Sequence, residues 1–156
     1  MVQYGEMDKM SEEKVTKEII KYLKMNGWYI YSYDFPQSGT GTLIKPDNSI
    51  NTKNRDAIIP DIIAIKNDIC VFFEDKNRIE LTDFEKVHGL ITDNKYKMNI
   101  NNLLKEYKIN NYYYGIGLPE SVNHDKLEIH KAKTNFIMLV DMNNNVHVFY
   151  DNYRIF

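Results

Sequence analysis

The stretch IIPDIIAIKNDICVFFEDK, residues 58–76, constrains the fold more than any other part of the chain. Its two short apolar runs, rich in Ile, Val and Phe, read as paired strands of a sheet core. Asn67 and Asp68 both tolerate positive φ and read as the turn between them. An even-length turn there pairs Lys66 with Ile69 and Ile65 with Cys70. Counted outward, this register sets Asp61 opposite Glu74, with both side chains on one face about 5 Å apart. Lys76 lies two residues beyond Glu74 and shares that face. A slip of one residue would separate the three groups, so the expectation depends on the turn. Carboxylates placed opposite each other cost a sheet about 0.2–1 kcal/mol, and more when desolvated. Lys76 offsets one charge. For the remainder, an oxygen-only donor set suits Mg2+, with Mn2+ able to substitute, far better than zinc. Pro60 has no amide N–H and marks an edge or bulge that re-aims Asp61.

The flanking elements follow from periodicity. Residues 11–25 predict a helix with Ser11 as N-cap, Gly27 as stop, and Val15, Ile19, Tyr22 and Leu23 on one stripe. Residues 28–33 predict a strand, and 34–55 a long polar loop. Strands are expected over 57–65 and 69–75. Thr82-Asp83 would cap a helix carrying Phe84, Val87 and Ile91, and a second helical stretch holds Ile100, Leu103, Leu104 and Tyr107. Residues 111–118 predict a strand, the segment after it turns, and 135–150 a hairpin turning at the asparagines. The sum is an α/β chain of the α+β kind: one domain, with a central mixed sheet flanked by helices.

The 156 residues are enough for one real core. At 43% hydrophobic and 27% charged, with no long apolar run, the composition predicts a soluble cytoplasmic protein with no membrane partner. The single cysteine, Cys70, excludes an intrachain disulfide and a cysteine-rich zinc site. The net charge of −2 does not advertise nucleic-acid binding, but acids gathered at a metal would mask basic residues elsewhere. The histidines 88, 124, 130 and 147 are scattered without helical zinc spacing, and SGTGT at 38–42 lacks the rest of a phosphate loop. Pro46-Asp47 reads as a turn.

Pro60-Asp61 followed by Glu74-x-Lys76 at the end of the next strand resembles the PD-(D/E)XK phosphodiesterase superfamily, which includes restriction endonucleases, Holliday-junction resolvases and repair nucleases. Acid-x-Lys also occurs at Glu12-Lys14, Asp93-Lys95 and Glu106-Lys108, but only the copy at 74–76 ends an apolar strand. Residues 11–118 follow the family order of helix, three strands, helix, strand; residues 119–156 would form a C-terminal β-hairpin extension. The resemblance implies a restriction-endonuclease-like core and a Mg2+-dependent DNA endonuclease, of the type II restriction kind. The alternatives are a structure-specific resolvase or repair nuclease, or a non-catalytic nucleic-acid-binding module. Asp61 and Glu74 would hold the metal, helped by the Asp75 backbone carbonyl, and Lys76 would orient the attacking water. Of the helix acids Glu12, Glu13 and Glu18, Glu12 lies on the sheet-facing stripe and is the one expected in the site. The Asp75 side chain alternates to the other face and is excluded; Asp56 precedes the strand.

DNA contacts are expected from Gln37, Ser38, Thr40, Lys45, Lys53 and Arg55 in the long loop and from Arg78 just past the site. Cutting both strands of a palindrome would favour a homodimer.

Overall fold

The computed structural model describes residues 10–36, 38–48 and 56–156. Ten elements follow one another: α1 (Glu12–Met25), β1 (Tyr29–Tyr33), β2 (Ile62–Lys66), β3 (Ile69–Asp75), α2 (Leu81–Thr92), α3 (Lys97–Leu103), β4 (Asn111–Pro119), α4 (His124–His130), β5 (Phe136–Val140) and β6 (Val146–Asp151). The strands form a single six-stranded sheet in sequence order. β1, β2 and β3 make an antiparallel meander, β4 and β5 each run parallel to the strand before, and β6 returns antiparallel. The fold is mixed α/β, with four α-helices among the described residues.

Alternation along the strands divides the core. Val15, Ile19 and Leu23 of α1 pack with Ile62, Ala64, Val71, Phe73, Phe136 and Met138 on one face. On the other face, α2 and α4 bring Phe84, Val87 and Leu127 against Ile116, Leu118, Ile137 and Leu139. The α3 region supplies Ile100 and Leu104 against Ile63, Ile65, Cys70 and Phe72. The central strands, buried on both faces, therefore read as continuous apolar runs. Among the described residues, no helix is long and apolar enough to cross a membrane.

The hairpin register agrees with the expectation: Lys66 pairs with Ile69, Ile65 with Cys70 and Ile62 with Phe73, turning through Asn67 at φ 55°. Ser11 caps α1 as expected, its side chain accepting from the Lys14 amide. Several boundaries differ. The strand expected over 57–65 begins only at Ile62. Ahead of it, Ile58 exchanges two 2.8 Å backbone hydrogen bonds with Ile44, drawing the segment before Pro60 away from the sheet ladder. α2 starts at Leu81 with Glu80 at its N-cap position, so Thr82-Asp83 lies inside the first turn. The turns expected after β4 contain α4, a short helix that buries only Leu127 and is capped by the Asn123 side chain. The C-terminal hairpin is part of the main sheet, since β5 pairs with β4. Pro46-Asp47 is structural: both Asp47 carboxylate oxygens accept from the Met98 and Asn99 amides at the start of α3.

Candidate catalytic rim

The carboxyl end of β3 meets the entry to β2 and the first turn of α1 on one rim of the sheet. The Asp61 amide donates to the Phe73 carbonyl at 2.9 Å, and Phe73 is already the partner of Ile62, so the ladder ends in a bulge at Asp61 and the expected pairing of Asp61 opposite Glu74 does not form. The Asp61 carbonyl accepts from the Asp34 amide at 2.9 Å, so the chain leaving β1 braces it from the other side. The Asp61 carboxylate accepts from the Asp75 amide at 2.6 Å. The resemblance implies a role for the Asp75 carbonyl; the contact between the two residues runs through the amide.

Glu74 lies between two lysines, Lys76 at 3.7 Å from one oxygen and Lys86 of α2 at 3.3 Å from the other. Lys76 also lies 3.9 Å from Asp83 of α2. Asp75 points to the α1 side of the sheet, as alternation requires, and is 1% exposed. One of its oxygens accepts from the Thr16 hydroxyl at 2.8 Å; the other has no hydrogen-bond partner. A Cβ at position 117 would fall 2.3 Å from that oxygen, so the absence of a side chain at Gly117 makes room for this carboxylate. Gly117→Ala is expected to cost about 1–3 kcal/mol by overpacking. Urea unfolding measures it, and an unchanged midpoint would contradict the tight packing.

Electrostatics ties these groups together. Burial pushes the Asp61 carboxyl up to about 9, reinforced by Asp75, Glu74 and Glu12. Burial likewise lifts Asp75 to about 7 against the opposing Thr16 hydrogen bond, with Glu74 and Glu12 adding to the rise. Burial raises Asp83, with Lys76 opposing. For Lys76, burial acts downward but is outweighed by Asp83, Glu74, Glu12 and Asp61, which hold its ammonium above the ordinary value. Glu12 is thus the helix acid whose field reaches the rim. Glu18 is instead taken up by Lys14 at 3.0 Å and Lys21 at 3.4 Å, and Glu13 by Lys17 at 3.7 Å.

With Glu12, Asp61, Glu74 and Asp83 around Lys76 and Lys86, acidic side chains outnumber basic ones on the rim. That excess, together with the oxygen-only donors, fits a divalent cation. Glu12, Asp61 and Glu74 do not bring three oxygens within 4.8 Å of one another. The local hydrogen bonds explain the spread, since Glu74 is held by its lysines and Asp61 by an amide. Two carboxylates, with water and phosphate oxygens completing the shell, are the usual protein share for Mg2+.

Among the described residues, the trio that does close to 4.8 Å is Glu120, Asp141 and His147, at the β5–β6 turn. Asp141 accepts there from the Asn143 and Asn145 amides and from His147 at 2.7 Å. That hydrogen bond holds His147 above its ordinary value and Asp141 below its own. A histidine–carboxylate hydrogen bond on a tight turn accounts for the cluster.

The expected DNA contacts fare unevenly. Gln37, Lys53 and Arg55 lie outside the described residues. Ser38 braces its own turn, accepting from the Phe35 amide and donating to Asp34, and the Thr40 hydroxyl donates to the Tyr33 carbonyl at 2.6 Å. Lys45 is exposed. Arg78 is paired with Glu80 at 2.6 Å. Asp83 and Lys86 also belong to the rim; they stand three residues apart on α2 and come there only through the packing of that helix, so no spacing in the sequence marks them. No family model, curated protein or solved structure matches the chain, so the chemistry of this rim rests on its own geometry.

Proposed function

We propose that the chain is a Mg2+-dependent DNA endonuclease with Asp61 and Glu74 as cation ligands and Lys76 as the group that orients the attacking water. The observation that carries this reading is the meeting of Asp61, Glu74 and Lys76 at one end of the hairpin, under the field of Glu12. The order of helix, three strands, helices and a fourth strand supports it, since the PD-(D/E)XK resemblance implies helix, three strands, helix, strand. A divalent cation bound there supplies Lewis-acid polarisation of the scissile phosphate and a more acidic water. Lys76, kept protonated by its acidic neighbours, donates to the water and offsets charge developing on the phosphate; it does not take up a proton. Asp75 holds Asp61 in place through its amide, and Thr16 anchors Asp75.

Supercoiled plasmid incubated in EDTA, Mg2+ and Mn2+ tests the reading. Cleavage is expected with either metal and none in EDTA, with loss in Lys76→Ala. Discrete fragments identify the restriction type, which as a cutter of both strands would work as a homodimer. Cleavage confined to junctions or flaps identifies a structure-specific nuclease. Intact plasmid under every condition, with binding retained, leaves a non-catalytic module and ends the enzyme reading.

A further inference from the structure

Helix α1 leads away from the rim, and its outward face is basic. Lys14, Lys17, Lys21 and Lys24 recur at spacings of three, four and three residues, which lines them along about 15 Å of one helical stripe. Together with Tyr33 and Phe35 they line an open groove of about 600 Å3. The acids within the stripe do not cancel it. Glu18 is 5% exposed and lies under Lys14 and Lys21, which are 41% and 70% exposed, so an incoming anion meets ammonium groups first. Glu13 offsets Lys17 alone. Beside the stripe, the Tyr33 and Phe35 rings stack with centroids 5.8 Å apart at 25°. Lys17 sits over Phe35, 5.2 Å from its centroid, and Tyr33 is 36% exposed.

We infer that this groove binds a single strand of nucleic acid, with phosphates on the α1 lysines and a base against the Tyr33–Phe35 pair. Charge complementarity selects a polyanion, and the stacked rings select one that carries flat bases over an acidic peptide or an anionic bilayer. The inference deepens the nuclease reading, for it supplies a path by which an unpaired strand reaches Glu12 and the rim, but the binding itself requires no catalysis.

Fluorescence anisotropy of a labelled oligothymidylate, in EDTA across a salt series, tests it. The double variant Lys17→Gln/Lys24→Gln is expected to bind about tenfold more weakly at low salt and to reduce the salt slope by about 1–1.5, the share of two phosphate contacts on a single strand. Lys14 and Lys21 stay in place because they cover Glu18. Tyr33→Ala is expected to weaken binding about tenfold with the slope unchanged, and Lys97→Gln/Lys126→Gln, on α3 and α4, to change neither. A wild-type slope in the α1 double variant overturns the inference. So does equal affinity for blunt duplex combined with no effect of Tyr33→Ala, or binding to anionic vesicles without binding to the oligonucleotide. The two readings fail separately: an altered slope in a chain that cuts no plasmid sinks the nuclease alone, and metal-dependent cutting with an unaltered slope sinks the groove alone.

Discussion

Asp61→Asn is expected to make the metal-free protein more stable while removing the cleavage activity proposed for the rim. The sign follows from the environment of the carboxyl. In the folded chain Asp61 holds its proton up to about pH 9, whereas an unfolded aspartate releases it near pH 3.9. Between those values the folded state binds more protons, so stability falls as pH rises through the window and is greatest below it. Asparagine retains a carbonyl oxygen to accept the Asp75 amide and carries no charge to desolvate. A gain on the order of 2 kcal/mol at pH 8 is expected in EDTA, with a flatter dependence of stability on pH than in the wild type. Adding Mg2+ reverses the order, because a ligand that binds only the native wild-type site stabilises it by mass action. Cleavage should fall by about 10²–10³-fold or more, the scale for losing a group that stabilises transition-state charge. Thermal melts across pH, with and without Mg2+, check the stability half. A variant less stable than wild type in EDTA at pH 8 would contradict a half-buried carboxyl crowded by other acids.

Phe136→Ala should be the most damaging single core change. Phe136 is fully buried on β5. Its ring meets Phe73 of β3 at 4.8 Å and Phe156 at 5.0 Å, both edge-on, and it covers Gly115, where a Cβ would lie 2.2 Å from the ring. Truncation removes these contacts and leaves a cavity between neighbouring strands, for an expected cost of about 3–5 kcal/mol. That is a large share of the total of about 5–15 kcal/mol typical of a domain. Urea denaturation gives the value. A cost below about 1 kcal/mol would show that residues 119–156 are a detachable addition and not part of the core.

The hairpin was legible in the sequence because period-two alternation and an even turn leave one register that buries its apolar residues. That register brought Asp61 to the end of β3 that carries Glu74 and Lys76, although the ladder itself stops at Ile62 and Phe73. Helical phase picked out Glu12 in the same way. Other features depended on contacts between distant segments. Alternation correctly assigns Asp75 to the far face, but it cannot show that a Thr16 hydroxyl waits there, nor that burial would tie this carboxyl electrostatically to Asp61 across the strand. Asp83 and Lys86 look like ordinary polar positions of an amphipathic helix until α2 is docked. α4 escaped because a seven-residue helix with one buried side chain has too little periodicity to register. The lysine spacing on α1 is visible in one dimension, but its pairing with Tyr33 and Phe35 is a product of tertiary packing.

The strand that carries Glu74 and Asp75 is also where the antiparallel and parallel halves of the sheet join. On one side it needs only a two-residue turn to find β2. On the other it must wait for β4, which arrives after the whole of α2 and α3. The floor beneath Asp75 is Gly117, and the Lys76 amide donates to the Gly117 carbonyl at 3.0 Å. A nascent chain halted before residue 111 would therefore already own every acid and both lysines of the rim, yet lack the surface that fixes their spacing. The geometry of the rim is thus completed by the slowest, least local pairing in the topology, so a partly synthesised polypeptide would lack the arrangement on which the proposed chemistry depends.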